Sequence, residues 1–473
     1  MYAPRNLTLV AWAIAGATAI GATTARASPR SEPTTGRAVF TGSTSSSASS
    51  ITLDPAALGI GSVGEVLIAV TGLVDHLAIA RTGASTAHAT STTFAPGAEI
   101  GLIYRTGDRF TVGVDAKTPP AEQFADAGDA LRYHSLGGHQ RDYIASVAAS
   151  VRATNSFFVG ASLSHDNTLL HLRYARDTAL AAGHGPGGID SDCEGAPCGI
   201  ENPAASELFD VRVRTGWLST SNLRINIGAV IQPFKDVWFG IAYHTPPGLG
   251  IESSLQGNVD VTLPARDGGQ VLHGQANVLV SFPAGADAEL RARLPRLLDL
   301  RIGGRWEDLS RFRAYDVRTF KHTFAEYGVP ELTRRPRGFH DPFAIWGGVE
   351  QVDVGQALRF GGRIGVETAA VDADKTSPFT TSPTSLTLDG GAQWRFAPSW
   401  MLQISYGIQV APAVTVTKSA FDPQSIVECI DSEYDYSTDA CAAARDGYAI
   451  DSAAGTYSKL SQSFRLALRY ELP

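Results

Sequence analysis

Past its first two dozen residues the chain contains no run of 18 apolar residues. A membrane-spanning helix needs about 20 of them, so no helical span is available. The longest apolar run, Val66 to Val74, is short and follows Glu65. Positive charge is scarce as well: Lys and Arg total 39 against 47 Asp and Glu, a net charge of −8. Nucleic-acid binding requires a basic stripe, so that partner is excluded. No nucleophile motif is present. Ser164-His165-Asp166-Asn167 comes nearest, but neighbours on a strand face opposite ways and cannot form a triad by themselves. A dinucleotide fingerprint is absent in all but spacing. Gly59-Ile60-Gly61-Ser62-Val63-Gly64 opens a β-like run, where the fingerprint has to open a helix.

Cysteine is limited to Cys193, Cys198, Cys429 and Cys441, all in polar segments rich in Gly and Asp. In an exported chain an even count points to disulfides. Pairing within each segment, Cys193 with Cys198 and Cys429 with Cys441, is expected; two other pairings are possible. A metal site is the alternative, but no His stands beside either pair. Neither metal nor cofactor is expected.

What is present begins with a leader. Arg5 gives a positive start, Leu7 to Ala22 is uncharged and mostly apolar, and Ala25-Arg26-Ala27 fits a signal-peptide cleavage site. Residues 1–27 are therefore expected to be removed, and the protein to leave the cytoplasm. Losing the leader's two arginines takes the net charge from −8 to −10. Residues 28–53, rich in Ser, Thr, Gly and Pro, read as a flexible or irregular lead-in. Leu53-Asp54-Pro55-Ala56-Ala57-Leu58-Gly59 reads as a turn and a helix start, with Asp54 as cap and Pro55 at the first helical position.

From there the period is two. Ile225, Ile227, Ala229 and Ile231 alternate with Arg224, Asn226 and Gly228. After a turn at Lys235-Asp236, Val237, Phe239, Ile241 and Tyr243 alternate with Trp238, Gly240, Ala242 and His244. One face is apolar and the other mixed, which suits a soluble sandwich or a membrane barrel with an apolar outside and a polar lumen. Strand pairs recur at Ala98–Tyr104 with Phe110–Ala116 and at Tyr143–Val151 with Phe157–Leu163. The series continues through Leu298–Trp306, Phe343–Val349, Leu358–Val366, Leu386–Phe396 and Trp400–Val410. Connections alternate between short turns and long polar loops, the pattern of an outer-membrane barrel. Aromatics gather at strand ends: Tyr104, Phe110, Tyr143, Phe157, Phe158, Tyr243, Trp394, Phe396, Trp400 and Tyr406. In a barrel these form interfacial girdles. The last strand puts Phe464, Leu466, Leu468, Tyr470 and Leu472 opposite Arg465 and Arg469.

Four stretches carry a resemblance to the FadL/OmpP1/TodX family of outer-membrane transporters. Asp54-Pro55-Ala56-Ala57-Leu58 is placed like the family's Asn-Pro-Ala-Gly hatch motif, with Asp for Asn and Ala for Gly. Val147 to Gly160, Gly228-Ala229-Val230-Ile231-Gln232-Pro233 with its return strand to Pro246, and Leu294 to Phe312 follow in order. The resemblance covers roughly residues 50–473. It implies an all-β transmembrane antiparallel barrel of about 14 strands over residues 64–473, plugged by a hatch at residues 28–63. It further implies passive uptake of hydrophobic compounds such as long-chain fatty acids or aromatic hydrocarbons. Capture is at the outer rim, gating by the hatch, and release through a gap in the wall.

Asp54, Pro55, Ala56, Ala57 and Leu58 are the gating candidates, or else a plain cap that shapes the plug. Leu170, Leu172 and Tyr174 read as outward, which turns His171 and Arg173 inward and makes Arg173 a candidate for a carboxylate head group. The alternative is a lumen arginine paired with a wall carboxylate. Gly303-Gly304 and Gly361-Gly362 mark either bulges where the wall opens or barrel bends. The expected partners are fatty acids or hydrocarbons, outer-membrane lipid and lipopolysaccharide, with the chain acting as a monomer. A general porin or a structural outer-membrane protein is the alternative function, and an outer-membrane hydrolase a third.

Overall fold

The computed structural model describes residues 39–472, apart from 62–63, 83–87, 178–209, 295–297, 321–323, 328, 353–356, 423–424, 426–427, 430–431 and 436. The leader, and Cys193 and Cys198, lie outside the described residues.

Fourteen antiparallel strands close a ring. They are β1 Gly64–Arg81, β2 His88–Thr106, β3 Phe110–Thr118, β4 Leu136–Thr154, β5 Phe157–Asp177, β6 Leu218–Phe234 and β7 Val237–His244. The other half is β8 Gly285–Leu294, β9 Leu298–Glu307, β10 Phe343–Gln351, β11 Leu358–Glu367, β12 Ser385–Ala397, β13 Trp400–Val410 and β14 Gly455–Leu472. Each pairs with the next in chain order. The ring shuts where β14 pairs with β1, from Gly64↔Leu472 to Arg81↔Gly455. Closure leaves no free edge around the circumference, which is what a β-structure needs in lipid.

The period of two sorts the side chains as the sequence suggests. Ile100, Val147, Ile227, Ile302, Ile364 and Ile404 point outward and are each more than half exposed. Such a belt, running right round the ring, is stable only against hydrocarbon. Tyr104, Phe110, Phe157, Tyr243, Trp394 and Phe396 are also exposed on the outside, as girdle residues are. Phe158 departs from this expectation: it is 4% exposed, on the inner face.

Short turns join the strands at one rim. At the other, the connections 178–217, 245–284, 308–342 and 411–454 are long. These carry further strands that raise the wall beyond the ring. Ser253–Thr262, Val271–Val280, Ala314–Phe320 and Leu332–Pro336 pair in that order. Asp210–Thr215 pairs with both β5 and Ser253–Thr262.

Residues 39–53, read as an irregular lead-in, prove to be almost wholly buried inside the ring. They form turns and one helical turn, Ser50–Leu53, followed by a 3-10 helix at Pro55–Ile60. Small Ser and Thr residues suit this plug because Thr44, Ser45, Ser49 and Thr52 each hydrogen-bond a charged group on the wall.

Candidate functional site

The interior has three levels. At the short-turn half, residues 39–61 fill the lumen. Asp54 caps the 3-10 helix, its Oδ1 accepting from Ala56 N at 3.0 Å. The wall comes very close here because it presents glycine. A Cβ on Gly160 would stand 2.4 Å from the backbone of Pro55 and Ala56. One on Gly228 would lie 2.0 Å from Asp54 Oδ1, and one on Gly240 2.5 Å from Ser43 O. On the far side Val39 and Phe40 sit against Gly361 and Gly391. Gly361 therefore marks a docking point for the plug. The ladders across Gly303-Gly304 and Gly361-Gly362 run without a register shift, so neither pair opens the wall.

Charged side chains fasten the plug. Arg301 lies between Glu289 at 3.1 Å and Glu350 at 3.0 Å, and donates to Ser45 Oγ at 2.6 Å. Glu350 accepts from Phe40 N at 3.0 Å, and Arg291 donates to Thr44 O at 3.0 Å. On the opposite wall Glu65 accepts from Ala48 N at 3.0 Å, and Arg465 donates to Glu99 at 2.8 Å and Ser49 Oγ at 3.1 Å. Lys117 reaches Thr52. A buried charge is tolerated only when paired and hydrogen-bonded, so these residues and the plug require each other. Asp54 is fully buried, yet its Oδ2 has no hydrogen-bond partner among the described residues. Beneath the plug, a cavity of about 620 Å³ opens at the short-turn rim between Gly61, Arg152 and Gln232.

Above the plug the inner face changes character. Along β5 the inward residues are Ser162, Ser164, Asp166 and Thr168, and then, on the same face, Leu170, Leu172 and Tyr174. The last three are at most 2% exposed and belong to a large apolar cluster with Phe124, Val259, Val278, Phe312 and Phe379. This corrects the orientation read from the sequence: Leu170, Leu172 and Tyr174 point in, and Arg173 is exposed on the outer wall. Arg173 is therefore neither a lumen ligand nor a lumen ion-pair partner. At the centre of the cluster Arg337, 1% exposed, has the rings of Phe124, Phe312, Tyr315, Phe339 and Phe379 within 4.6–5.4 Å, and pairs with Glu122. Nothing in the periodicity marked Arg337 or Glu122.

The third level is a cavity of about 500 Å³ at the long-loop mouth, between Tyr174, Leu332, Arg335 and Ile450, with the bonded pair Cys429–Cys441 on its rim. Arg335 is 3% exposed and stacks 4.3 Å from the Tyr174 ring. It donates to the backbone carbonyls of Tyr133, at 2.9 Å, and His134. Burial, with Arg176 nearby, lowers its guanidinium to about 10.

Among the described residues the wall is interrupted beside the end of β3. The β2–β3 ladder ends at Ala98↔Thr118, whereas β2 continues to pair with β1 as far as His88. Beyond Thr118 the chain runs through Pro119, Pro120 and Ala121 into Glu122–Asp126, which pairs with β4 instead. Pro120 packs on Gly97. Prolines donate no hydrogen bond, so this seam, with Pro96 on its other side, has no ladder. Leu73, Ala95 and Ala121 cluster behind it. Ser164, His165 and Asp166 do not converge: Ser164 donates to Ser146 at 2.9 Å, and Asp166 pairs with Arg224 at 2.9 Å.

No family model matches the sequence, and no curated protein matches it. Solved structures do. A Pseudomonas aeruginosa FadL homologue superposes with a TM-score of 0.70 at 14% identity, covering 95% of this chain and 100% of that one. The P. putida toluene transporter TodX gives 0.62 at 12% identity, over 93% and 96%. The Ralstonia pickettii toluene transporter TbuX gives 0.58 at 16%, over 95% and 99%.

Proposed function

We propose that this chain, which has the fold of the FadL-type channels, is a passive outer-membrane channel for hydrophobic compounds. The observation that carries this reading is the change of the inner wall from polar at the plug to apolar above it. A sugar-conducting porin needs a continuous polar lumen, and an apolar upper half offers none. A hydrophobic solute gains roughly 25 cal/mol per Å² of surface removed from water. A monoaromatic burying about 200 Å² would thus gain roughly 5 kcal/mol without any energy input.

The mouth cavity beside Tyr174 suits capture. The ladder-free seam at Pro119-Pro120 suits sideways release, because opening it breaks no strand pairing. Movement of Asp54 to Leu58 would then set how far a solute descends. The solved neighbours include toluene transporters and a monoaromatic hydrocarbon channel, which supports the same substrate class and an outer-membrane location.

Proteoliposomes test this directly. The reconstituted protein should take up toluene or a long-chain fatty acid saturably and leave sugar impermeant. Sugar flux without hydrophobe binding would sink the reading.

A further inference from the structure

We propose that the outer wall above the apolar belt at β4, β5 and Asp210–Thr215 is a docking surface for a phosphate-bearing glycolipid of the outer leaflet, the lipid A moiety. Arg173 and Arg214 are direct partners across the β5 ladder, and both are exposed. Like charges directly opposite each other are destabilising, so this pair calls for an external anion. Arg141 lies two rows lower on the same face, below His139 and His171, with its Nε buried and without a hydrogen-bond partner among the described residues. None of the ion pairs among the described residues uses these three arginines. Asp260, the register partner of Arg214 on its other side, is engaged by His273 at 2.7 Å.

Between Arg173 and Arg214 and the apolar belt lies an aromatic shelf. His139 and His171 are register partners, and the Trp217 ring is 4.6 Å from His139 and 6.1 Å from His171. Trp217 is 53% exposed. Below it the wall is Tyr143, Leu163 and Leu223, all exposed. Read outward from the membrane, the order is apolar wall with Arg141 at its upper edge, interfacial aromatics, then Arg173 and Arg214. That is the order of an amphiphile with acyl chains below and phosphates above. Guanidinium binds phosphate bidentately, and Trp prefers the interfacial level. Basic pockets on membrane proteins hold anionic head groups in the same way. The chain as a whole is acidic, at −8, so a cluster of arginines without ion pairs among the described residues is not a by-product of composition.

The proposal does not depend on what the channel carries. Purified full-length protein is titrated with bisphosphorylated lipid A in detergent and read by native mass spectrometry. An Arg173→Ala, Arg214→Ala double variant should bind about thirtyfold more weakly, at roughly one head-group contact per arginine. Arg173→Gln alone should lose about fivefold, which keeps the test valid if the double variant fails the heat-shift assay for a folded barrel. Wild-type affinity should fall as the phosphates are removed. Undiminished binding by the folded variants, or equal affinity for dephosphorylated lipid A or phosphatidylglycerol, would overturn the proposal.

Discussion

A single methyl group at Gly160 should undock the plug without unfolding the barrel. The inserted Cβ would stand 2.4 Å from Ala56 N and from Pro55 C, and 2.6 Å from Pro55 O. Ordinary contact distances are roughly 3.5–4.0 Å, so the plug has to retreat by about 1 Å. The atoms it meets are backbone and cannot rotate aside. Retreat also pulls Ala56 O away from Ser150 Oγ, which donates to it at 3.0 Å. Overpacking of this kind costs about 1–3 kcal/mol, a shift of about 5–150-fold towards the undocked plug. The ring should hold, because Gly160 keeps its ladder partners Ser150 and Gly228 through backbone atoms alone. Hydrogen exchange of residues 48–60, and conductance in planar bilayers, should both rise in Gly160→Ala. Gly390→Ala is the control, since nothing lies within 4 Å of its Cβ. If residues 48–60 stay as protected in Gly160→Ala as in wild type, the plug is not held by this contact. If Gly390→Ala loosens them equally, the effect is not steric.

Two further perturbations probe the levels above. His134 is buried, with its ring nitrogen 2.6 Å from Asp451 O, and burial holds its pKa at about 3, helped by Arg335 and Arg81. A depressed pKa means that the opened state takes up the proton first. The contact is fully present above about pH 6.5, and it weakens by at most about 1.4 kcal/mol per unit as pH falls towards 3. Proteolysis of the segment around Asp451 should accelerate on acidification, and His134→Gln should flatten that dependence; an unchanged acid response in the variant refutes the assignment. Arg337→Met should cost about 3–5 kcal/mol, because Glu122 is left as a carboxylate without its cation. The double variant Arg337→Met, Glu122→Met should regain most of that loss in the temperature of the heat-induced gel shift; a double variant as weak as the single would show that packing, not charge, holds the site.

The barrel was legible because its strands alternate without interruption, and because loop lengths separate the two rims. Each strand pair read from periodicity, from Ala98–Tyr104 with Phe110–Ala116 to Trp400–Val410, falls inside a strand of the ring. The plug was legible only at Asp54-Pro55. Its earlier part looked like linker because Ser and Thr are common in both settings. What makes Ser45 and Ser49 structural is Arg301, Glu99 and Arg465, hundreds of residues away or on the far wall. Composition does not report such partners. Of the added outer strands, Leu332–Pro336 is short and sits in a segment whose polarity reads as loop.

The misreading of Arg173 has a more specific cause, and it bears on what the molecule is for. A period of two assigns residues to two faces but does not say which face is inside. Along β5 the alternation is unbroken from Phe157 to Tyr174, so no local signal marks a change. Yet the polarity of the faces exchanges part-way up. Below, Leu163 faces lipid and Ser162 and Ser164 face the plug; above, Leu172 and Tyr174 face the interior and Arg173 faces out. Each half is consistent with its own surroundings: hydrocarbon and a polar plug below, head groups and an apolar interior above. A wall meant only to conduct water would have no reason to exchange its faces. On the proposed function, the exchange would give a hydrophobic solute an apolar surface at the level where it arrives from water. It would also deny it one at the plug, so such a solute would gain most by staying above the plug, beside the seam at Pro119-Pro120.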